Sequence, residues 1–204
     1  MEMLVASKTT NPKLKRVPDA LVYEIDEGKP IYYRGYRAVL SGKLKIEDIM
    51  GSRKKQSLLV GELFFLLKLS LKQYFYFFTN ELGIKFGKSR RSADIALVLK
   101  SKMDFDEAWE DKYASTMPDI IIEVDIKADL TDMPDASNYF FKKTEQLLNN
   151  GTSKVIWIFT ETETIMVAEQ GKARWEIMKW TEDVEVSHGF SFNIPQLLAQ
   201  LKNG

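Results

Sequence analysis

The chain has no cysteine and a single histidine, His188, in 204 residues. Without thiols it can form neither a disulfide, nor a thiolate zinc site, nor a cysteine nucleophile. A histidine metal cage or a serine–histidine triad would have only one residue to build on. Any metal here must therefore be held mainly by oxygen, which favours magnesium, manganese or calcium. Net charge is missing too. Lys+Arg and Asp+Glu both number 29, so the overall basic field typical of nucleic-acid-binding proteins is absent and only local basic patches remain open. Long apolar runs are absent as well. The longest, Leu58 to Leu71, is interrupted by Gly61, Glu62, Lys68 and Ser70 and cannot span a bilayer. The opening residues MEMLVASKTTNPKLKR hold no apolar signal core, and the expectation is a cytoplasmic protein with no membrane partner.

What is present is an ordinary globular composition, 45% hydrophobic and 28% charged, long enough to bury a core within one domain. The first 18 residues, polar and carrying Pro12 and Pro18, read as an extended tail, and 19–204 as a single domain. Leu21 to Asp26 (LVYEID) reads as a strand, turning at Glu27 to Pro30 into a short second strand, IYYRG. From Ile46 to about Gln73 the leucines at 59, 63, 66, 67 and 71 recur at helical spacing, with Gly51-Ser52 starting the main helix and Ser52 as its candidate cap. YFYFFTN, ELGIKFG and SADIALVLK read as three successive strands. PDIIIEVDIK (Pro118 to Lys127) carries the strongest strand signal, its isoleucines pointing to a central, doubly covered position. A helix over about Ala136 to Asn150 stops at Gly151. KVIWIFT follows as a buried strand, then a hairpin turning at Gln170-Gly171, and a last helix from Asn193 to Leu201. This order predicts an α/β protein with a mixed sheet and helices packed on it.

The segment that carries chemistry is Pro118 to Lys127. Strand alternation puts Glu123, Asp125 and Lys127 on one face, opposite Ile120, Ile122, Val124 and Ile126. Charges on so apolar a strand need partners or a metal. Two carboxylates and an ammonium suit metal-assisted phosphodiester hydrolysis. The acids hold a cation that polarises the phosphate and acidifies a water, and the lysine orients the water or offsets developing negative charge. Asp94, in Ser92-Ala93-Asp94-Ile95, is the candidate third acid from a neighbouring strand.

Asp94 followed by Asp125-Ile126-Lys127 resembles the PD-(D/E)XK nuclease pattern. The wider run of YEIDEGKP, a long apolar helix, SADIALVLK, PDIIIEVDIK and KKTEQLLNNGTSKVIWIF resembles the Uma-two family of bacterial restriction-endonuclease-like proteins, over about Leu21 to Val167. The resemblance implies a restriction-endonuclease-like mixed β-sheet flanked by helices, and a Mg2+- or Mn2+-dependent nuclease acting on DNA. It implies Asp94 and Glu123 as metal ligands, Glu24 as an accessory acid near them, and Lys143 as the lysine on the helix. Three positions depart from the family pattern: Ala93 stands where a proline is usual, Asp125 where an apolar residue is usual, and Lys127 where a small turn residue is common. Asp125 therefore stays open as a third ligand, and Lys127 and Lys143 as alternative catalytic lysines.

Further charges have plainer readings. Lys85, Lys88, Arg90 and Arg91 could contact phosphates beside the metal site, Lys88, Arg90 and Arg91 most directly, or simply solvate a loop. Arg53, Lys54 and Lys55 at the helix start carry the same two readings. Asp129, Asp132 and Asp135 lack calcium-loop spacing and read as turn and capping residues. His188 reads as structural or solvated. The aromatic run Tyr74 to Phe78 alternates faces. Most of it is expected in the core, with one face able to meet a second copy in a homodimer. The alternative to an enzyme is a nuclease-fold binding or structural module whose charges pair internally. A weaker third reading is hydrolysis of another phosphate ester on the same metal site.

Overall fold

The computed structural model describes residues 17–133 and 136–203. The greater part of the expected N-terminal tail and Asp135 therefore lie outside the described residues. A 3-10 turn (Asp19–Leu21) leads into the hairpin β1 (Val22–Asp26) and β2 (Lys29–Tyr32), then α1 (Tyr36–Leu40), α2 (Glu47–Met50) and α3 (Lys54–Leu71). β3 (Phe75–Phe86), β4 (Ser89–Leu99), α4 (Phe105–Ala108), β5 (Ile120–Val124), α5 (Ala136–Asn149) and β6 (Lys154–Phe159) follow. The chain ends in β7 (Thr164–Glu169), β8 (Glu176–Lys179), a separate hairpin of β9 (Val184–Ser187) and β10 (Phe190–Phe192), and α6 (Ile194–Asn203).

The main sheet runs β2-β1-β4-β5-β6-β7-β8, with β3 on the remaining edge of β4. All neighbours are antiparallel except β5 and β6, which α5 connects as a parallel crossover. Strand alternation sorts the core into two layers. Ile120, Ile122 and Val124 join Leu59, Leu63, Leu67 and Leu71 of α3, and Ile194 and Leu197 of α6, on one face. Ile121 joins Tyr139, Leu147 and Leu148 of α5 on the other. The four-residue leucine spacing in α3 is what gives that helix a continuous apolar stripe to lay on the sheet. Among the described residues no helix is long and apolar enough to cross a membrane.

Three local expectations are corrected. YFYFFTN and ELGIKFG form one strand, β3, bent by a bulge: Thr79 faces Ile95 and Leu82 faces Ala93, so Asn80 and Glu81 together oppose Asp94. Both bulge residues are left-handed, with φ of 63° and 60°, which an asparagine tolerates better than most residues. The helix expected from Ile46 is split, with Gly51 to Arg53 separating α2 from α3. Ser52 is not the cap of α3; Arg53 holds that position and makes no side-chain capping bond.

The feature that positions the site is a fork beside β4. β3 pairs along the whole of one β4 edge. On the other edge β1 pairs at Arg90 and β5 pairs at Ile95 to Leu97. Between them, Arg91 to Asp94 have no strand partner on that side, and side chains fill the gap.

Candidate active site

Glu24, in the middle of β1, points into the fork and is fully buried. Its Oε1 accepts from Ser92 N at 3.0 Å, Ser92 Oγ at 3.3 Å and Lys143 Nζ at 2.7 Å. Its Oε2 accepts from Arg91 Nη1 at 3.0 Å and Tyr139 Oη at 2.7 Å. The Ser92 amide that a strand neighbour would satisfy is thus satisfied by a carboxylate. Burial pushes the Glu24 carboxyl up, but Lys143 and Arg91 outweigh it, and the group titrates below its ordinary range.

Lys143 comes from the inner face of α5. Its Nζ also donates to the Ser92 carbonyl at 2.8 Å and lies 2.9 Å from Glu123 Oε1. Burial works against its charge, yet Glu123 and Glu24 together raise its pKa, so the ammonium stays charged. Glu123 is the less favoured of the two acids sharing it. Its Oε1 contact with Lys143 lacks hydrogen-bond alignment, leaving that oxygen buried without a hydrogen-bond partner among the described residues. Burial, opposed by Lys143 and reinforced by Asp94 and Glu24, pushes the Glu123 carboxyl up to about 8.

Asp94 lies where the β4–β5 ladder ends. The next pair in that register would be Asp94 with Glu123, but the ladder stops short of it; Asp94 Oδ2 instead accepts from the Val124 amide at 2.8 Å and from Gln56 Nε2 at 3.5 Å. Gln56, buried at the start of α3, also donates to the Val124 carbonyl at 2.6 Å. Asp94 Oδ1 lies 3.3 Å from Lys127 Nζ, and Lys127 is ion-paired on its other side with Glu81 of the β3 bulge. Burial lowers the Lys127 pKa, but Asp94 and Glu81 raise it further than burial lowers it.

The structure brings Glu24, Asp94, Glu123 and Lys143 together around the fork, with Lys127 at its outer side. It does not keep Asp125 with them. β5 ends at Val124, and Asp125 is left-handed, with φ of 60°, so strand alternation stops there. The expected shared face of Glu123, Asp125 and Lys127 does not form. Asp125 turns its Oδ1 to the Thr160 amide and its Oδ2 to Thr160 Oγ1, both at 2.8 Å, and ties β5 to the end of β6. The phosphate-contact reading of Arg91 is corrected in the same way. Its side chain is 1% exposed and is held by Glu24, Asp26 and Gln146. Arg90 lies over the Tyr113 ring, and Lys88 is exposed at the β3–β4 turn. Asp129 accepts the Thr131 amide in a local turn, and Asp132 pairs with Arg37. His188 sits in the β9–β10 turn, stacked on Tyr74 at 3.8 Å.

Gln56, Glu81 and Tyr139 were not singled out from sequence. Gln56 had a signal: it continues the stripe of Leu59, Leu63 and Leu67 as the one polar residue on the apolar side of α3. Asn80 was a weaker sign of the bulge that presents Glu81.

Among the described residues no three His, Asp or Glu side chains converge as a ready-made metal cage. The donor set nevertheless fits a hard cation. Glu123 carries an oxygen without a hydrogen bond and is pushed toward protonation chiefly by burial and further by Asp94 and Glu24, a cost that a divalent ion would relieve. Magnesium commonly takes only one or two protein carboxylates and completes its shell with water and phosphate.

The architecture recurs in a solved structure, a "putative nuclease belonging to DUF820" from Anabaena variabilis ATCC 29413. The two superpose with a TM-score of 0.65 over 87% of this chain and 90% of that one, at 19% identity, so the likeness is one of fold. The fold is restriction-endonuclease-like. The model of the Uma2 family, described as "Putative restriction endonuclease", matches residues 34–195, and the chain belongs to that family. No curated protein matches it.

Proposed function

We propose that the chain is a divalent-metal-dependent nuclease acting on DNA, with Asp94 and Glu123 as the metal-binding pair. The observation that carries this reading is the under-compensated Glu123 carboxylate beside Asp94, in a fork open to solvent on the Asp94 side. A cavity of about 500 Å³ reaches Asp94 and Lys127 between the β3 bulge and the Gly51-Ser52 turn. A bound magnesium or manganese ion would polarise the phosphate and make its water a nucleophile at neutral pH. Lys143 holds Glu123 in place and offsets its charge. Lys127, at the mouth of the cavity, is positioned to neutralise charge developing on the phosphate. Glu24 anchors Lys143 and reaches no solvent. Asp125 has no part in this assignment, because Thr160 occupies both its oxygens.

The test is plasmid cleavage with magnesium or manganese, alongside calorimetric titration of the ion. Wild type should bind metal and cut, and Asp94→Ala and Glu123→Ala should do neither. Absence of both in wild type sinks the enzyme reading.

One observation favours a second reading, a binding module. Lys143 bridges Glu24 and Glu123 at 2.7 and 2.9 Å with all three buried, a closed network that could be purely structural. In that case Glu123 variants change stability while metal has no effect on the melting temperature of wild type.

A further inference from the structure

A second cavity, of about 340 Å³, also borders the Gly51–Arg53 connection. The two cavities share Gly51 and Lys127 in their walls. The second lies over the loop that follows β5, between Arg34, Arg53 and Thr160. Arg53 makes no side-chain hydrogen bond or ion pair among the described residues. Arg34 gives one Nη2 contact, 2.6 Å, to the Ile126 carbonyl, which fixes the guanidinium and leaves its other donors available. Three acids also line this cavity and keep their charge opposite Arg34, Arg53 and Lys127; two of them face away to neutral donors, Asp125 to Thr160 and Asp48 to the Lys45 amide at 2.8 Å. Glu161 is exposed.

We infer that the two cavities form one groove for a nucleic-acid strand, in which Arg34 and Arg53 grip a backbone phosphate next to the one held at Asp94 and Lys127. The inference rests on the nuclease reading for the site itself and adds the path of the strand. Phosphate contacts of this kind position a duplex without reading its sequence, and arginine suits them because its planar fork matches a phosphate. The groove replaces the basic run at Lys88 to Arg91, which the structure places elsewhere.

The experiment is fluorescence-anisotropy binding of a labelled DNA duplex of arbitrary sequence, in EDTA, across a salt series. Arg53→Ala loses no internal contact and should weaken binding equally for unrelated sequences, with a salt slope shallower by about 1. Arg34→Lys should keep the slope, and Arg34→Ala should not. Lys72→Ala, at the far end of α3, should match wild type. A wild-type slope and affinity in Arg53→Ala and Arg34→Ala overturns the groove, as does an equal loss in Lys72→Ala or no duplex binding by wild type. Cleavage by wild type with an unchanged slope in the arginine variants would sink the groove and leave the nuclease reading standing. Slope loss without any cleavage would do the reverse.

Discussion

Lys143 Nζ lies 2.7 Å from Oε1 of Glu24, with both side chains 0% exposed and the residues 119 apart in sequence. A pair so deeply buried is costly to split, because removing one partner strands the other charge away from water. Lys143→Ala is therefore expected to lose about 3–5 kcal/mol of stability in urea denaturation. Glu24→Gln with Lys143→Met should lose less than the two single changes summed, since these two groups no longer strand each other, while Arg91 and Glu123 each still lose a partner. Additive losses would mean that the two groups do not act as a unit.

Asp94→Asn should separate chemistry from structure. The amide oxygen can still accept the Val124 N–H and Gln56 can turn to suit, so the melting temperature should change little. Metal binding by calorimetry and plasmid cleavage should both disappear, because the anionic ligand is lost. Retained cleavage would remove Asp94 from the site.

Glu123 gives a pH dependence with a definite sign. Its carboxyl is raised from 4.5 in the unfolded chain to about 8 in the fold, so the folded state binds the extra proton between those values. Stability in the metal-free protein should then fall as pH rises from about 4.5 to about 8, by up to roughly tenfold in the folding constant per pH unit. Glu123→Gln should flatten that part of the profile. A wild-type curve that rises across this window would contradict the raised value. Metal binding needs the deprotonated acid, so affinity should increase over the same window.

Asp125→Ala tests the rejected ligand. It leaves the partly buried Thr160 amide without its acceptor and should lose about 1–3 kcal/mol in denaturant melts. Metal affinity and cleavage per folded molecule should remain at wild-type level. A selective loss of metal binding would return Asp125 to the site.

The sequence made the scaffold legible where a pattern had one physical meaning. Isoleucines flanking Glu123 mark a doubly covered strand, and β5 is central and buried. Leucines at four-residue intervals mark α3. The resemblance assigns Glu123 and a helix lysine to one site, which no spacing in the strand does; their direct contact is visible only in the structure. Asp125 shows why the rest was hidden. Its place in the alternation depends on a single backbone angle, and nothing in Asp-Ile-Lys requires a left-handed turn. The Asn80-Glu81 bulge was hidden for a related reason: an extra residue in a strand leaves the composition of that strand unchanged. Gln56 is hidden because helical periodicity is carried by apolar residues, and a polar side chain on the same face reads as a break in the pattern.

The gap in the β4 edge has a spectroscopic consequence. Two main-chain amides, Ser92 and Val124, donate to site carboxylates where a ladder would have given them carbonyls. Their proton chemical shifts therefore report the charge on Glu24 and Asp94 separately, with no label placed on either acid. In a titration with magnesium, the Val124 resonance should move first and furthest, while Ser92, shielded behind Lys143, stays nearly still. The backbone itself is a built-in electrometer for the site.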